Sequence, residues 1–395
     1  MPVNQKLNIV FWAFPSWSDE YLKSTMELAK ELAMRHNVLY IDYAYTTKDI
    51  LSSKGKNAIP VKSILGKEAG LRKVGLHNGA EISILSLPPI LPVNWISNKR
   101  IYEFAEAING YIVSKRIKRA LTKSAFQPDI VINAFNPFFA KATRNVFDKQ
   151  PLIYYCYDNI DAAVWAAKHG ARLEKEIIKN ADAVIFTSDA LKSYKGENSK
   201  SFVVSNGVNL RAFEKIPLKE FDQNNTNPIV GYTGCIDNRL NYDLLSELIS
   251  ENPGLQFEFI GPVTSNEADK LKTFANVKFY GSVKPDELAI TMKNFDAGII
   301  PFVKNDFTRN IYPMKANEYL ALGIPVIATD FARLNDLNNY IEIAYNAKEF
   351  SAKLNLSLNT DSEIKQQQRR RKAKENSWEN KSLEFETILK SCVTR

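Results

Sequence analysis

Lys315 and Glu318 stand three residues apart in the stretch YPMKANEYLALGIPVIATD, residues 312–330. Pro313 suits the first turn of a helix. A helix opening there would put Lys315 near its N-terminus, where free amides and the dipole favour an anion. Glu318 would follow one turn on, on nearly the same face. A cation at that place meets phosphate, and a carboxylate beside it accepts hydrogen bonds from ribose hydroxyls, so the pair suits a nucleoside diphosphate. It is also compatible with an ordinary i,i+3 surface contact worth about 0.2–0.5 kcal/mol. The two residues alone leave both readings open.

A second feature precedes it. In PIVGYTGCIDNR (228–239), Gly231 and Gly234 bracket a turn after an apolar run, which lets backbone amides approach a ligand closely. The pattern is not G-x-G-x-x-G, and no acidic ribose reader follows at the usual offset, so a nicotinamide site is disfavoured. A tight structural turn is the alternative. Of the histidines, His36, His77 and His169 are scattered, and no metal-ligand spacing is visible.

The elements that would position these residues alternate in type. LNIVFW (7–12), NVLYIDY (37–43), EISILSL (81–87), DIVINAF (129–135), PLIYYCYD (151–158), ADAVIFTS (181–188) and SFVVSNGV (201–208) read as strands. Helical stretches at 19–36, 99–124, 139–147 and 162–180 separate them. The polar, proline-bounded segment within 211–228 reads as a linker. The alternation then restarts with PIVGYTG, LQFEFIGP, VKFYGSV, DAGIIPF and IPVIATD, with helices expected at 241–251, 266–273 and 285–294. Residues 377–395 form a terminal amphipathic helix. Such alternation means parallel sheets with crossovers. The expected architecture is α/β: two Rossmann-like doubly wound domains, 1–210 and 229–376, with ligands bound in a cleft at the carboxyl ends of the strands.

The chain has 395 residues, too many for one ordinary core. No apolar run reaches the roughly 18 residues that span a bilayer, and the start reads as a first strand rather than a signal peptide. Three widely spaced cysteines suggest reduced thiols and a cytoplasmic protein. Residues 1–210 hold 28 Lys+Arg and 19 Asp+Glu, a net of 28 − 19 = +9, out of +8 for the whole chain. A basic half-molecule points to an anionic partner.

Taken in order, NPIVGYTGCIDNRLNYDLL, FEFIGPV, NVKFYGSVKPDEL, FDAGIIPF and YPMKANEYLALGIPVIATD resemble the donor-binding domain of GT-B-fold glycosyltransferases, close to glycosyltransferase family four and related polysaccharide-assembly enzymes. YYCYDNID, ADAVIFTSDAL and SNGVN resemble the matching end of the acceptor domain, and SWENK resembles the crossover helix that returns to it. The resemblance implies that 1–210 binds acceptor and 229–376 binds donor. It implies that Lys315 binds the donor diphosphate and Glu318 the ribose. Gly234 would let the sugar and phosphate approach, Arg239 would be a second phosphate cation, and backbone near Gly261 and Val283 would border the base. Tyr312 and Met314 flank the lysine and would complete the donor site. Asp158 would be the catalytic group, a general base in an inverting reaction; a helix N-cap is its bland alternative.

Three departures are visible: Asn310 where family four often has Glu, Asn241 and Asp243 where a further cation is expected, and AFPSWSDE in place of a glycine-rich first loop. They fit subgroups with Pro-x-Lys-x-x-Glu-Tyr-Leu-Ala, some of which are inverting, and leave inversion and retention both open. The expected activity is transfer of a hexose from a nucleotide sugar, UDP foremost, to a glycan or lipid-linked glycan in cell-surface polysaccharide synthesis. No metal or other cofactor is required, because fixed cations and a helix N-terminus can stabilise a leaving diphosphate. A binding subunit without catalysis and a UDP-sugar 2-epimerase are the rivals. Nucleic-acid binding has no supporting motif.

The stretch LPPILPVNWISNKR, with the helix after it, sets Trp95 and Ile96 beside Lys99, Arg100, Lys115, Arg116, Lys118 and Arg119. Aromatic tips beside a basic helix suit an anionic membrane surface. A membrane or acceptor surface at the inner membrane face is one reading, and a solvated basic helix is the other.

Overall fold

The computed structural model describes residues 6–18, 24–52, 59, 64, 70–163, 166–196, 198–222 and 225–393, without the side chains of 285 and 286. The chain divides into two units, residues 1–204 with 381–395, and residues 205–380. Asp19 and Glu20 of the AFPSWSDE loop, the start of the helix expected at 19–36 and the last two residues of the terminal helix lie outside the described residues.

The first unit is built on eight strands: β1 (Asn8–Ala13), β2 (Asn37–Ile41), β3 (Leu71–Gly75), β4 (Glu81–Leu85), β5 (Ile130–Ala134), β6 (Leu152–Cys156), β7 (Ala183–Phe186) and β8 (Ser201–Val203). Their order is β3-β4-β2-β1-β5-β6-β7-β8, parallel except that β3 runs antiparallel to β4. Strands β5, β6 and β7 are buried along their whole length. That explains why they read as unbroken apolar runs rather than alternating ones. The order reverses between β1 and β5, and a doubly wound sheet opens a ligand crevice at such a reversal.

The second unit carries β9 (Ile229–Thr233), β10 (Gln256–Ile260), β11 (Val277–Gly281), β12 (Ala297–Ile300), β13 (Val326–Thr329) and β14 (Ile341–Ala344). They are all parallel, in the order β11-β10-β9-β12-β13-β14, with the reversal between β9 and β12. Gly231 has no room for a side chain, since a Cβ there would lie 2.0 Å from the Phe295 ring.

Two expectations need correction. The segment 211–228 is not a free linker: Phe213 and Ile216 are buried in the second unit's core, and the division falls at Val204 and Ser205. The strand expected at 201–208 stops at Val203, after which Val208 bridges to Ser377. The helix expected at 99–124 runs from Lys99 to Ser124, because the Asn98 side chain accepts from the amides of Arg100 and Ile101 and so caps it.

Candidate functional site

In the second unit, the C-terminal ends of β9 and β12 meet the start of the helix Met314–Ala321. Pro313 stands at the cap position just outside that helix and has no side-chain acceptor to offer. The first-turn amides are thus left without a side-chain cap. Lys315 reaches back over β9 and the end of β12. Its Nζ lies 3.9 Å from the centre of the Tyr232 ring and 4.8 Å from that of Phe302. Among the described residues its amine makes no hydrogen bond and no ion pair, and Glu318 does not pair with it. The surface-contact reading of the two is therefore set aside.

Gly234 sits under this amine with φ +117, and a Cβ there would lie 3.0 Å from the Lys315 Nζ. Gly261 (φ +144) packs so closely on this turn that its own Cβ would meet the Gly234 carbonyl oxygen at 2.0 Å. Two glycines in conformations L side chains rarely adopt bring backbone against the lysine. Tyr232 donates its hydroxyl to the Cys235 carbonyl at 2.9 Å, closing the same turn.

Arg239 joins the group but is already engaged. Its Nε and Nη2 donate to the Asp237 carboxylate at 2.9 and 2.7 Å, and its guanidinium lies 5.5 Å from the Phe302 ring centre. Burial works against the Asp237 charge, but hydrogen bonds from Arg239 hold its carboxyl below the usual range. Burial pushes Lys315 well below the usual lysine range, and the Arg239 charge adds to that effect. Burial also raises Glu318, which Lys315 opposes. The arrangement is a lysine over two aromatic rings and two close-packed glycines, with an arginine–carboxylate pair beside it and a carboxyl one turn away.

The remaining expected donor residues divide. Met314 is the first helical residue and is half-buried, and Val283 packs on the edge of the core. Tyr312 is a correction. It is buried, its hydroxyl donates to Asp336 at 2.6 Å and lies 3.3 Å from the Asn376 amide, so it fastens the helix start to the chain around Asn376 instead of facing a ligand. Asn310 is buried and donates to the Asp306 carbonyl at 2.9 Å.

In the first unit, Asp158 lies two residues beyond β6, half-buried, with Oδ1 accepting from the Asn159 amide at 2.7 Å. It is not a helix cap: the short turn Ile160–Ala162 is capped by Asn159. Behind it lies a buried ionic cluster that sequence reading missed. Lys195 pairs with Glu174 at 2.5 Å and Asp161 at 2.9 Å, and the Tyr154 hydroxyl donates to Glu174 at 2.8 Å. Lys195 thereby ties the loop after Asp158 to the helices beneath it. The bonded partners lie 20 to 34 residues apart in sequence, so no local pattern signals them.

His36, His77 and His169 lie apart, and no cluster of His, Cys, Asp and Glu among the described residues is arranged to hold a metal. His36 accepts from the Leu7 amide, and His169 stacks on Tyr102 with ring centres 3.5 Å apart.

The basic region is exposed at Trp95, Lys99, Arg100, Lys115, Lys118 and Arg119, while Ile96 is half-buried. Arg116 is a correction: it turns inward, its Nε donating to the Ser86 carbonyl at 3.4 Å, and burial lowers its pKa. Sequence reading also missed an exposed apolar stripe on the same helix, Ile101, Phe104, Ile108 and Tyr111. Its spacing of three, four and three residues is that of one helix face, and was there to be found. No described helix is long and apolar enough to cross a membrane.

Residues 215–377 match the family described as Glycosyl transferases group 1. The chain is similar to TuaH of Bacillus subtilis (strain 168), a protein named as a teichuronic acid biosynthesis glycosyltransferase, with 26% identity over 211 residues. That match takes in 47% of this chain and 52% of TuaH, so it spans about half the length of the relative. Among solved structures, sucrose-phosphate synthase from Thermosynechococcus elongatus superposes with a TM-score of 0.67 at 15% identity, covering 97% of this chain and 98% of that one. The catalytic domain of Starch Synthase IV from Arabidopsis thaliana, bound to ADP and acarbose, gives 0.64 at 13% identity, covering 99% and 100%. The fold is GT-B.

Proposed function

We propose that the chain is a glycosyltransferase that moves a hexose from a nucleotide diphosphate sugar, UDP foremost, to a hydroxyl of a glycan or lipid-linked glycan. The observation that carries this reading is the Lys315 amine, held over Tyr232 and Phe302 beside two close-packed glycines and without a partner among the described residues. The family match over the same unit and the name of the Bacillus relative support it, the latter pointing to cell-surface polysaccharide as product.

Each residue then has a task. Lys315 and the uncapped amides of its helix stabilise the diphosphate as the bond to the anomeric carbon breaks. Glu318 accepts from ribose hydroxyls. Arg239, oriented by Asp237, contributes positive potential and keeps its own carboxylate partner. Asp158 takes the proton from the acceptor hydroxyl as that oxygen attacks, and the Lys195 cluster holds its loop. On this reading the fixed cations and the helix N-terminus stabilise the leaving diphosphate, and no metal is called for.

The test is nucleoside diphosphate release from UDP-, dTDP- and GDP-sugars with a membrane extract as acceptor source, in EDTA. Asp158→Asn should lower the rate about 10²–10⁴-fold, the usual worth of a general base, while leaving nucleotide binding intact. Release that needs added metal, or an Asp158→Asn rate within a factor of two of wild type, contradicts the assignment.

A further inference from the structure

Helix Glu363–Glu375, of sequence EIKQQQRRRKAKE, runs beside the helix that carries Lys315, yet it has no apolar stripe. Its apolar residues are Ile364, 70% exposed, and Ala373, buried. The face it turns inward is Gln366, Arg369 and Ala373, with Arg370 half-buried beside them. A helix ordinarily packs by an apolar stripe, and arginine is seldom buried unless its charge is met. Something in the fold must answer the two guanidinium groups.

The answer is the carboxyl end of the Lys315 helix. That helix closes in a Schellman turn: Gly323, at φ +76, donates to the Leu320 carbonyl at 2.9 Å, and Ile324 donates to that of Tyr319 at 3.0 Å. The Ala321 and Gly323 carbonyls lie outside those two bonds, and the arginines take them. Arg370 Nε donates to Ala321 at 3.0 Å, and Arg369 Nε donates to Gly323 at 2.8 Å. Arg369 also pairs with Asp361 at 2.6 Å, which balances its charge. Arg370 has no carboxylate partner among the described residues; its other bond goes to the Ile216 carbonyl. An unbalanced cation is thus fixed at the negative end of a helix dipole.

The amino end is held from the same neighbour. Asn376, at the carboxyl end of Glu363–Glu375, donates to Asn317 Oδ1 at 3.0 Å. Asn317 in turn is one turn from the Tyr312 hydroxyl that Asp336 secures. Between the two ends, the Tyr319 hydroxyl accepts from the Thr233 amide at 2.9 Å, beside the Gly234 turn. The Lys315 helix has eight residues, which makes it about 12 Å long and too short to be stable alone. It is braced at both ends and in its middle. Its free first-turn amides, Lys315 and the Arg370 cation therefore belong to one short, fixed dipole.

We infer that helix Glu363–Glu375 is a strut for the donor site and that Arg370 is a positioning residue for the donor diphosphate. It holds the carboxyl end of the Lys315 helix and offsets the negative end of its dipole, so the amide end meets the phosphates in register with Lys315 and at fuller positive potential. The inference rests on the reading of Lys315 as the diphosphate's partner, and it adds a residue that touches neither nucleotide nor sugar.

The experiment is calorimetric titration of the full chain with UDP, dTDP and GDP, each beside its nucleoside, and with pyrophosphate. Wild type is compared with Arg370→Gln and Arg370→Lys. Both variants keep a donor for the Ala321 carbonyl, so neither leaves a buried acceptor bare; only the first loses the charge. Arg370→Gln should weaken the diphosphate that wild type binds by about two- to fivefold, the worth of a charge at a helix terminus. The matching nucleoside should bind as it does to wild type, and Arg370→Lys should restore the diphosphate affinity. Melts without ligand, recorded alongside, show whether the variants are folded.

Diphosphate affinity unchanged in Arg370→Gln overturns the inference and leaves the transferase reading standing. So does a loss that the nucleoside shares in equal measure, or one that Arg370→Lys does not relieve, since either marks loosened packing and not a missing charge. Wild type that binds no nucleoside diphosphate and no pyrophosphate fails the transferase reading, and the inference falls with it.

Discussion

An amine set over two aromatic rings, away from hydrogen-bond partners, holds its charge poorly until an anion arrives. Lys315 is in that position: burial and the Arg239 charge both push its pKa down. A diphosphate beside it would reverse the balance, favouring the protonated amine. Nucleotide binding at pH 8.5 should therefore take up protons, seen as calorimetric heats that differ between buffers of unlike ionisation enthalpy. Equal heats in phosphate and Tris would contradict the placement. Much of this was legible. Lysine, glutamate and the two glycines are all chemically distinctive and close to punctuating prolines. What was not legible is the lining. Tyr232 and Phe302 stand in the strand-like runs PIVGYTG and DAGIIPF, where nothing local marks them as lining, and Asp237 was not singled out. Tyr312 was misplaced because its partner Asp336 and its neighbour Asn376 lie 24 and 64 residues on. Only tertiary contact shows that such a hydroxyl is already satisfied.

At the scale of elements, the terminal helix is anchored in the first unit by one acid. Arg35 donates to Glu386 at 2.7 Å and to Ser382 at 2.8 Å, and Lys390 pairs with Glu386 at 2.6 Å. Burial alone would raise the Glu386 pKa, but the hydrogen bonds from Lys390 and Arg35 prevail and hold it down to about 2. A depressed carboxyl stabilises the fold above its unfolded pKa, and that stability is lost as pH falls through the folded value. Arg35→Ala should cost about 1–2 kcal/mol at pH 7, after allowance for solvent screening. In urea unfolding the difference from wild type should shrink below pH 3. A difference equal at pH 7 and pH 2 would show that Glu386 is not the anchor. Elements were visible in the sequence where both faces are buried, as in β5 to β7. Of the four edge strands, two were missed. β3 (LRKVG) has no buried residue, and β14 (IEIA) is buried only at its ends, so neither carries an apolar run. The 211–228 segment misled for the opposite reason: its polar composition conceals two anchors, Phe213 and Ile216.

Across the whole molecule, charge and exposed apolar surface coincide in the first unit. Residues 1–210 carry the net +9 counted above, and one helix displays Phe104 (70% exposed), Tyr111 (67%) and Ile101 (58%) among its lysines and arginines. An interfacial helix of this kind binds by apolar insertion plus attraction to anionic lipid, each basic residue near the surface adding about 1 kcal/mol. The protein should float with vesicles containing phosphatidylglycerol and not with neutral ones. Phe104→Glu should abolish flotation, and 0.5 M salt should weaken it. Equal recovery with neutral vesicles, or none with anionic ones, would remove the membrane from the account.

The donor site remains the claim on which the rest depends, and thermal unfolding tests it most directly. Wild type and Lys315→Ala are melted with UDP, dTDP, GDP, ADP and NAD. At 100 times Kd, a bound nucleotide stabilises its domain by about 2.7 kcal/mol, a clear rise in Tm. The account predicts a rise with one nucleoside diphosphate, UDP foremost, none with NAD, and its loss in Lys315→Ala. A melt that no diphosphate moves, or a rise that the variant keeps in full, would contradict it.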